Sequence, residues 1–160
     1  MSAADLIIEL AARLQASGQV LATAESCTGG LIAAACTDVA GSSAWFERGF
    51  VTYSNAAKNE LLGVPLEMIA QHGAVSEPVA RAMALGALQR SAVQWSISVT
   101  GIAGPSGGSA SKPVGTVCFG FASAAGVAVS TQVFAGDRQQ VRAQAVVFAL
   151  QGILNVIQAQ

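Results

Sequence analysis

The order of its elements predicts an α/β protein, a three-layer α/β/α sandwich with a mixed central sheet. Strand-like and helix-like runs alternate from Gln19 to Thr100, the β-α-β pattern of parallel strands with covering helices. Two strand-like runs then follow one another directly, the pattern of an antiparallel hairpin. Composition is the third observation: 160 residues, 52% hydrophobic and only 6% aromatic, suit one close-packed core of Ala, Val, Leu and Ile. A single domain over residues 1–160 is expected, without repeats or linkers. A charged fraction of 11% is low enough that some apolar surface is expected in a subunit interface.

Each element has its own signal. Leu6, Ile7, Leu10, Ala11 and Leu14 recur at helical spacing and predict a covering helix over Ala3–Gln15, ended by Ser17-Gly18. A buried strand is expected over Gln19–Ala24, a helix over Leu31–Cys36 and a second strand over Trp45–Tyr53. A short helix runs from Ala56 to Leu62, where Gly63 stops it, and another covers roughly Pro65–Gln71. A third begins after Ser76, takes Pro78 in its first turn and reaches about Arg90. Trp95–Thr100 reads as a strand and Gly101–Pro113 as a Gly-, Ser- and Pro-rich loop. Val114–Ala122 and Val127–Phe134 form the hairpin, turning near Ala125-Gly126. Asp137 caps the last helix, which carries Val141, Ala145, Phe148 and Leu150 toward Val156.

Several function classes are disfavoured. No run approaches the roughly 18 uninterrupted apolar residues of a membrane span, and the start lacks a basic segment, so a cytoplasmic protein without a membrane partner is expected. A net charge of −1, a pI near 5.7 and eight Lys plus Arg offer no basic face, so no nucleic-acid partner is expected. Cys27, Cys36 and Cys118 lack CxxC spacing and His72 is the sole histidine, so neither a disulfide framework nor a metal site is expected.

The chemistry concentrates at Ala24-Glu25-Ser26-Cys27-Thr28-Gly29-Gly30, between a strand-like and a helix-like run. A hydroxyl there meets unpaired backbone N–H groups and the positive end of a helix dipole, which suits an oxyanion. The competing reading makes Ser26 or Thr28 an N-cap only. Cys27 is an alternative nucleophile, but His72 shows no sign of being its base. G-x-S-x-G is absent, since Ala24 and Thr28 flank the serine, which excludes an α/β-hydrolase elbow.

Only two lysines occur, Lys58 and Lys112. With Asn55 as cap, Lys58 falls at the third helical position, where the dipole disfavours a cation and favours a neutral amine able to act as a base. A solvated lysine fits that position equally well. Tyr53 is placed to reach the same pocket, as a proton relay, as a substrate contact or as a buried structural tyrosine. Without a suitable histidine, a Ser-Lys pair is the natural way to activate Ser26.

Two further features could hold a phosphate. Thr100-Gly101-Ile102-Ala103-Gly104-Pro105 follows a strand with glycines that let backbone approach a phosphate or a flat ring, or forms only a mobile loop. Arg138 stands in the first turn of the last helix with Arg142 one turn on, either a phosphate site or two solvated arginines. Glu25 either fixes the serine turn or pairs with one of these cations.

In this order, the segments resemble the CinA C-terminal domain family, whose stand-alone members include nicotinamide-nucleotide amidohydrolases. The resemblance is carried by residues 24–30, Gly41-Ser42-Ser43, Val51-Thr52-Tyr53-Ser54-Asn55 with Lys58, Leu62-Gly63-Val64 and Gly73-Ala74-Val75-Ser76-Glu77. It continues through residues 100–105, Lys112-Pro113-Val114-Gly115-Thr116-Val117 and Gly136-Asp137-Arg138. It implies an α/β/α domain, expected as a homodimer, that deamidates nicotinamide mononucleotide to the nicotinate form and ammonia without cofactor or metal. Ser26, Lys58 and Tyr53 are its expected catalytic residues. Thr28, Gly29, Gly30, Asn55, Thr100, Gly101, Gly104 and Arg138 are the expected substrate contacts, with Arg142 in reserve for the phosphate. Arg48 departs from the glycine more usual in the family, a change expected to touch packing or the pocket rim. The larger CinA proteins carry a separate N-terminal domain, whose activity is not expected of this chain.

Overall fold

The computed structural model describes residues 1–160. In chain order the elements are α1 (Ala3–Ser17), β1 (Leu21–Glu25), α2 (Leu31–Thr37), β2 (Phe46–Val51), α3 (Asn55–Leu62), α4 (Leu66–His72) and α5 (Glu77–Gln89). β3 (Trp95–Gly101), β4 (Thr116–Ser123), β5 (Gly126–Val133) and α6 (Arg138–Gln158) follow, and one 3₁₀ turn at Ser42–Ala44 precedes β2. The strands form one sheet in the order β2-β1-β3-β4-β5. β2, β1 and β3 are parallel, whereas β4 and β5 run antiparallel, as the late hairpin predicted. The α/β/α expectation holds: α1, α2 and α6 cover one face, and α3, α4 and α5 the other.

Local chemistry explains the boundaries. Ser2 and Asp5 form a capping box on α1, and Gly18 ends it in the left-handed conformation that a side chain disfavours. Asp137 and Gln140 form a second capping box on α6. With 21 residues, α6 is long and apolar enough to cross a bilayer, but it buries Val141, Ala145, Ala149, Leu150 and Ile153 in the core. β2 stops at Val51, two residues short of the sequence expectation, because the Thr52 and Tyr53 carbonyls turn inward to a lysine instead of continuing the ladder.

Small residues set the spacing between α5 and the sheet. Ser96 and Ser98 of β3 donate their hydroxyls to the Ala84 and Ala80 carbonyls of α5, so these buried polar groups are satisfied. Gly86 brings α5 equally close to the end of α3, since a Cβ there would lie 2.1 Å from the Leu62 carbonyl oxygen. Alanine is favoured over glycine in a helix by about 1 kcal/mol, but this backbone clash outweighs that gain. Gly86→Ala is therefore expected to cost about 2 kcal/mol and lower Tm by about 5 °C in a thermal melt.

The three parallel strands end at one edge of the sheet. β1 connects toward β2 and β3 toward β4, so the chain leaves these neighbours in opposite directions and opens a crevice at their carboxyl ends.

Candidate active site

The turn after β1 is held by the residue before it. Glu25, 1% exposed, accepts hydrogen bonds from the Ile32 and Ala33 amides at 2.8 and 3.0 Å and from the Thr28 hydroxyl at 2.7 Å. Its carboxylate thus caps α2 and pairs with no cation, which settles its two sequence readings in favour of the turn. Gly29 and Gly30 adopt φ of +59° and +102°, conformations that let the chain enter α2 directly after the turn. The first free amides of α2 are taken by Glu25, so neither Ser26 nor Thr28 serves as its N-cap. Ser26 is left at the sheet edge, its N–H bonded to Val99 O at 2.9 Å.

Lys58 meets this serine from the opposite face of the sheet. The cap of α3 is Ser54, whose hydroxyl accepts from Ala57 N at 3.0 Å, rather than Asn55. Lys58 therefore stands at the fourth helical position, one step beyond the expected third, and burial rather than the dipole governs its charge. It is 1% exposed, and desolvation lowers its pKa below the ordinary lysine value. Its Nζ lies 3.0 Å from Ser26 Oγ and 3.1 Å from each of the Thr52 and Tyr53 carbonyl oxygens. Carbonyl oxygens only accept, so they take both N–H bonds of a neutral amine. A neutral Lys58 with both N–H bonds on these carbonyls would turn its lone pair to the Ser26 hydroxyl, the arrangement a general base needs with its nucleophile.

A cavity of about 230 Å³ opens beside the pair. Ser26, Cys27, Tyr53, Asn55 and Lys58 line one side. Ala74, Val75, Thr100, Gly101, Ala103 and Arg138 line the other. Burial pushes the Cys27 thiol up to about 11, so it stays protonated near neutrality and is a poor competitor for the nucleophile role. Gly101 is needed for close packing here, because a Cβ would lie 3.0 Å from Cys27 Sγ and 2.7 Å from Val117 Cγ2. At the rim, Arg138 donates to Gly104 O at 2.8 Å and to the exposed Tyr53 hydroxyl at 3.2 Å. A larger apolar groove of about 490 Å³ runs beside Phe134 and Phe148, with no nucleophilic side chain in its lining.

The CinA C-terminal domain profile matches residues 3–157. This chain belongs to the CinA C-terminal domain family. It is 60% identical to the nicotinamide-nucleotide amidohydrolase PncC of Enterobacter agglomerans, over 94% of this chain and 93% of that protein. Identity to the protein of the same name from Escherichia coli K12 is 58%, over 86% of this chain and 84% of that one. The competence/damage inducible protein CihA of Agrobacterium tumefaciens has a similar crystal structure, with a TM-score of 0.94 and 44% identity over 98% of this chain and 95% of that one. The CinA-like protein of Anaeromyxobacter dehalogenans is 51% identical over 91% of this chain, a match that spans 35% of that longer protein.

In this CinA C-terminal domain the expected site residues separate into groups. Ser26, Lys58, Tyr53, Asn55, Thr100, Gly101 and Arg138 share the cavity. Thr28, Gly29, Gly30 and Gly104 are absent from its lining: Thr28 turns to Glu25, the glycines shape the turn, and Gly104 offers its carbonyl to Arg138. The Thr100 hydroxyl is engaged by Ala74 O at 2.8 Å. Arg142 is also outside the cavity, bonded to the Cys27 and Thr28 carbonyls. Arg48 is an exposed β2 residue that reaches Glu47 and the Arg90 carbonyl, away from the rim. Reading side chains alone missed the two carbonyls holding Lys58 and the Ala74-Val75 wall, because backbone acceptors and small apolar residues carry no chemical mark in a sequence.

Proposed function

We propose that this chain hydrolyses the carboxamide of nicotinamide mononucleotide to nicotinate mononucleotide and ammonia, with Ser26 as nucleophile and Lys58 as base. The 3.0 Å contact between Ser26 Oγ and a buried lysine that has no carboxylate partner carries this reading. The high identity to proteins named nicotinamide-nucleotide amidohydrolase supports the substrate.

Ser26 Oγ attacks the carboxamide carbon while its proton passes to Lys58 Nζ. The resulting oxyanion is held by backbone amides of the serine turn; of these, Gly29 N–H is engaged by Ser26 O, whereas those of Cys27 and Thr28 bond no acceptor in the protein. Collapse breaks the C–N bond, and Lys58 returns the proton so that ammonia departs. Water then attacks the acyl-serine with Lys58 again as base, releasing the carboxylate and regenerating the hydroxyl. Tyr53 positions lysine through its carbonyl and Arg138 through its hydroxyl. A cavity of about 230 Å³ suits the ring and carboxamide, with the phosphate directed to Arg138 at the rim. Pyridine-nucleotide recycling by a cytoplasmic homodimer is the setting this reading implies.

Ammonia and nicotinate mononucleotide should appear in equal amounts when the purified protein is given nicotinamide mononucleotide. Release only from a different carboxamide would move the substrate, and release from none would overturn the hydrolase. The active base is neutral Lys58, so kcat/KM should rise with pH along an acid limb. Because burial lowers the lysine pKa, the midpoint should lie below the ordinary value of 10.5. A pH–rate profile that only falls with rising pH would contradict a lysine base.

A further inference from the structure

We propose that Arg142 is a positioning residue for the hydrolysis, gripping the nucleophile turn by its carbonyls and strengthening its amide donors without touching the substrate. This rests on the reading of Ser26 as the nucleophile. From α6, Arg142 Nε donates to Cys27 O at 3.0 Å and a terminal nitrogen donates to Thr28 O at 3.3 Å. The side chain is part-buried, forms no ion pair and is absent from the cavity lining, so its charge falls on these two carbonyls. It lies against the turn, since a Cβ on Gly29 would be 3.5 Å from its terminal nitrogen.

Each carbonyl shares a peptide group with the amide of the next residue. Cys27 C=O is conjugated to Thr28 N–H, and Thr28 C=O to Gly29 N–H. A cation bonded to the oxygen draws electron density from the nitrogen and makes that N–H a stronger donor. Gly29 N–H uses this to close the turn onto Ser26 O at 3.0 Å. Thr28 N–H bonds no acceptor in the protein, which leaves it, on this proposal, as the donor for an oxyanion formed at Ser26. On the other side the Glu25 carboxylate holds the Thr28 hydroxyl and the Ile32 and Ala33 amides. The turn is thus held between a guanidinium on its carbonyls and a carboxylate on its donors. Arg138, one helical turn earlier, bonds Gly104 O and the Tyr53 hydroxyl at the rim, so the two arginines have different work.

Steady-state kinetics of Arg142→Gln and Arg142→Lys, run beside Ser26→Ala with nicotinamide mononucleotide, test this. Deleting an oxyanion donor outright costs about 10²- to 10³-fold in kcat, so weakening one should cost less. Arg142→Gln is expected to lower kcat by about 10- to 100-fold with KM within about threefold of the parent. Arg142→Lys, which keeps the charge and one donor, should fall between them. If Arg142→Gln fails to fold, Arg142→Lys decides on the same split. Full kcat in the variants, or a raised KM at unchanged kcat, would overturn the proposal, the latter by making Arg142 a substrate ligand. Should Ser26→Ala itself keep turning over, the nucleophile reading fails first. Loss in Ser26→Ala with full activity in the Arg142 variants sinks this inference alone.

Discussion

Ser26→Ala should lower kcat on nicotinamide mononucleotide by at least about 10⁴-fold, the loss typical when a covalent nucleophile is removed. Binding should change little. The hydroxyl stands 3.0 Å from Lys58 Nζ and 3.4 Å from Tyr53 O, and Arg138 and the cavity walls that would contact the nucleotide do not depend on it. Cys27, the neighbouring alternative, is kept as a thiol by burial and cannot readily take over. Calorimetry on the variant should therefore report substrate affinity close to that of the parent. Retained turnover would remove Ser26 from the chemistry, whereas lost binding would make it a substrate contact.

Lys58→Arg is the second large effect, and it separates a base from a mere charge. Arginine keeps a cation and several donors but is not deprotonated in a protein, so it cannot accept the Ser26 proton. A loss of about 10³-fold in kcat is expected, within the range for a general base. Combining it with Ser26→Ala should add little further loss, because the two groups act as one unit. Activity within about tenfold of the parent would show that the positive charge suffices and would exclude the base role.

The strand ends show how far pattern reading carries. Helical spacing located α1 and α5 within about two residues, because apolar periodicity and caps such as Ser76 are local. β2 was expected to continue to Tyr53 because Val51-Thr52-Tyr53 has strand-forming side chains. It ends at Val51 because the next two carbonyls hold a lysine several residues on, and such an acceptor is not encoded by strand propensity. Asn55 and Ser54 are both good caps, and only the observed bond to Ala57 N distinguishes them.

Periodicity and ordered local motifs are enough to specify the α/β/α layering, the serine-bearing turn and the family. Tertiary structure decided which charges do what. Lys58 becomes a candidate base because folding removes it from water, Glu25 a helix cap because its carboxylate reaches amides seven and eight residues on, and Arg142 a turn clamp because α6 passes behind Cys27 and Thr28. A side chain's type fixes what it can donate, accept or titrate. Its burial and partners, set by segments distant in sequence, determine which of these it does.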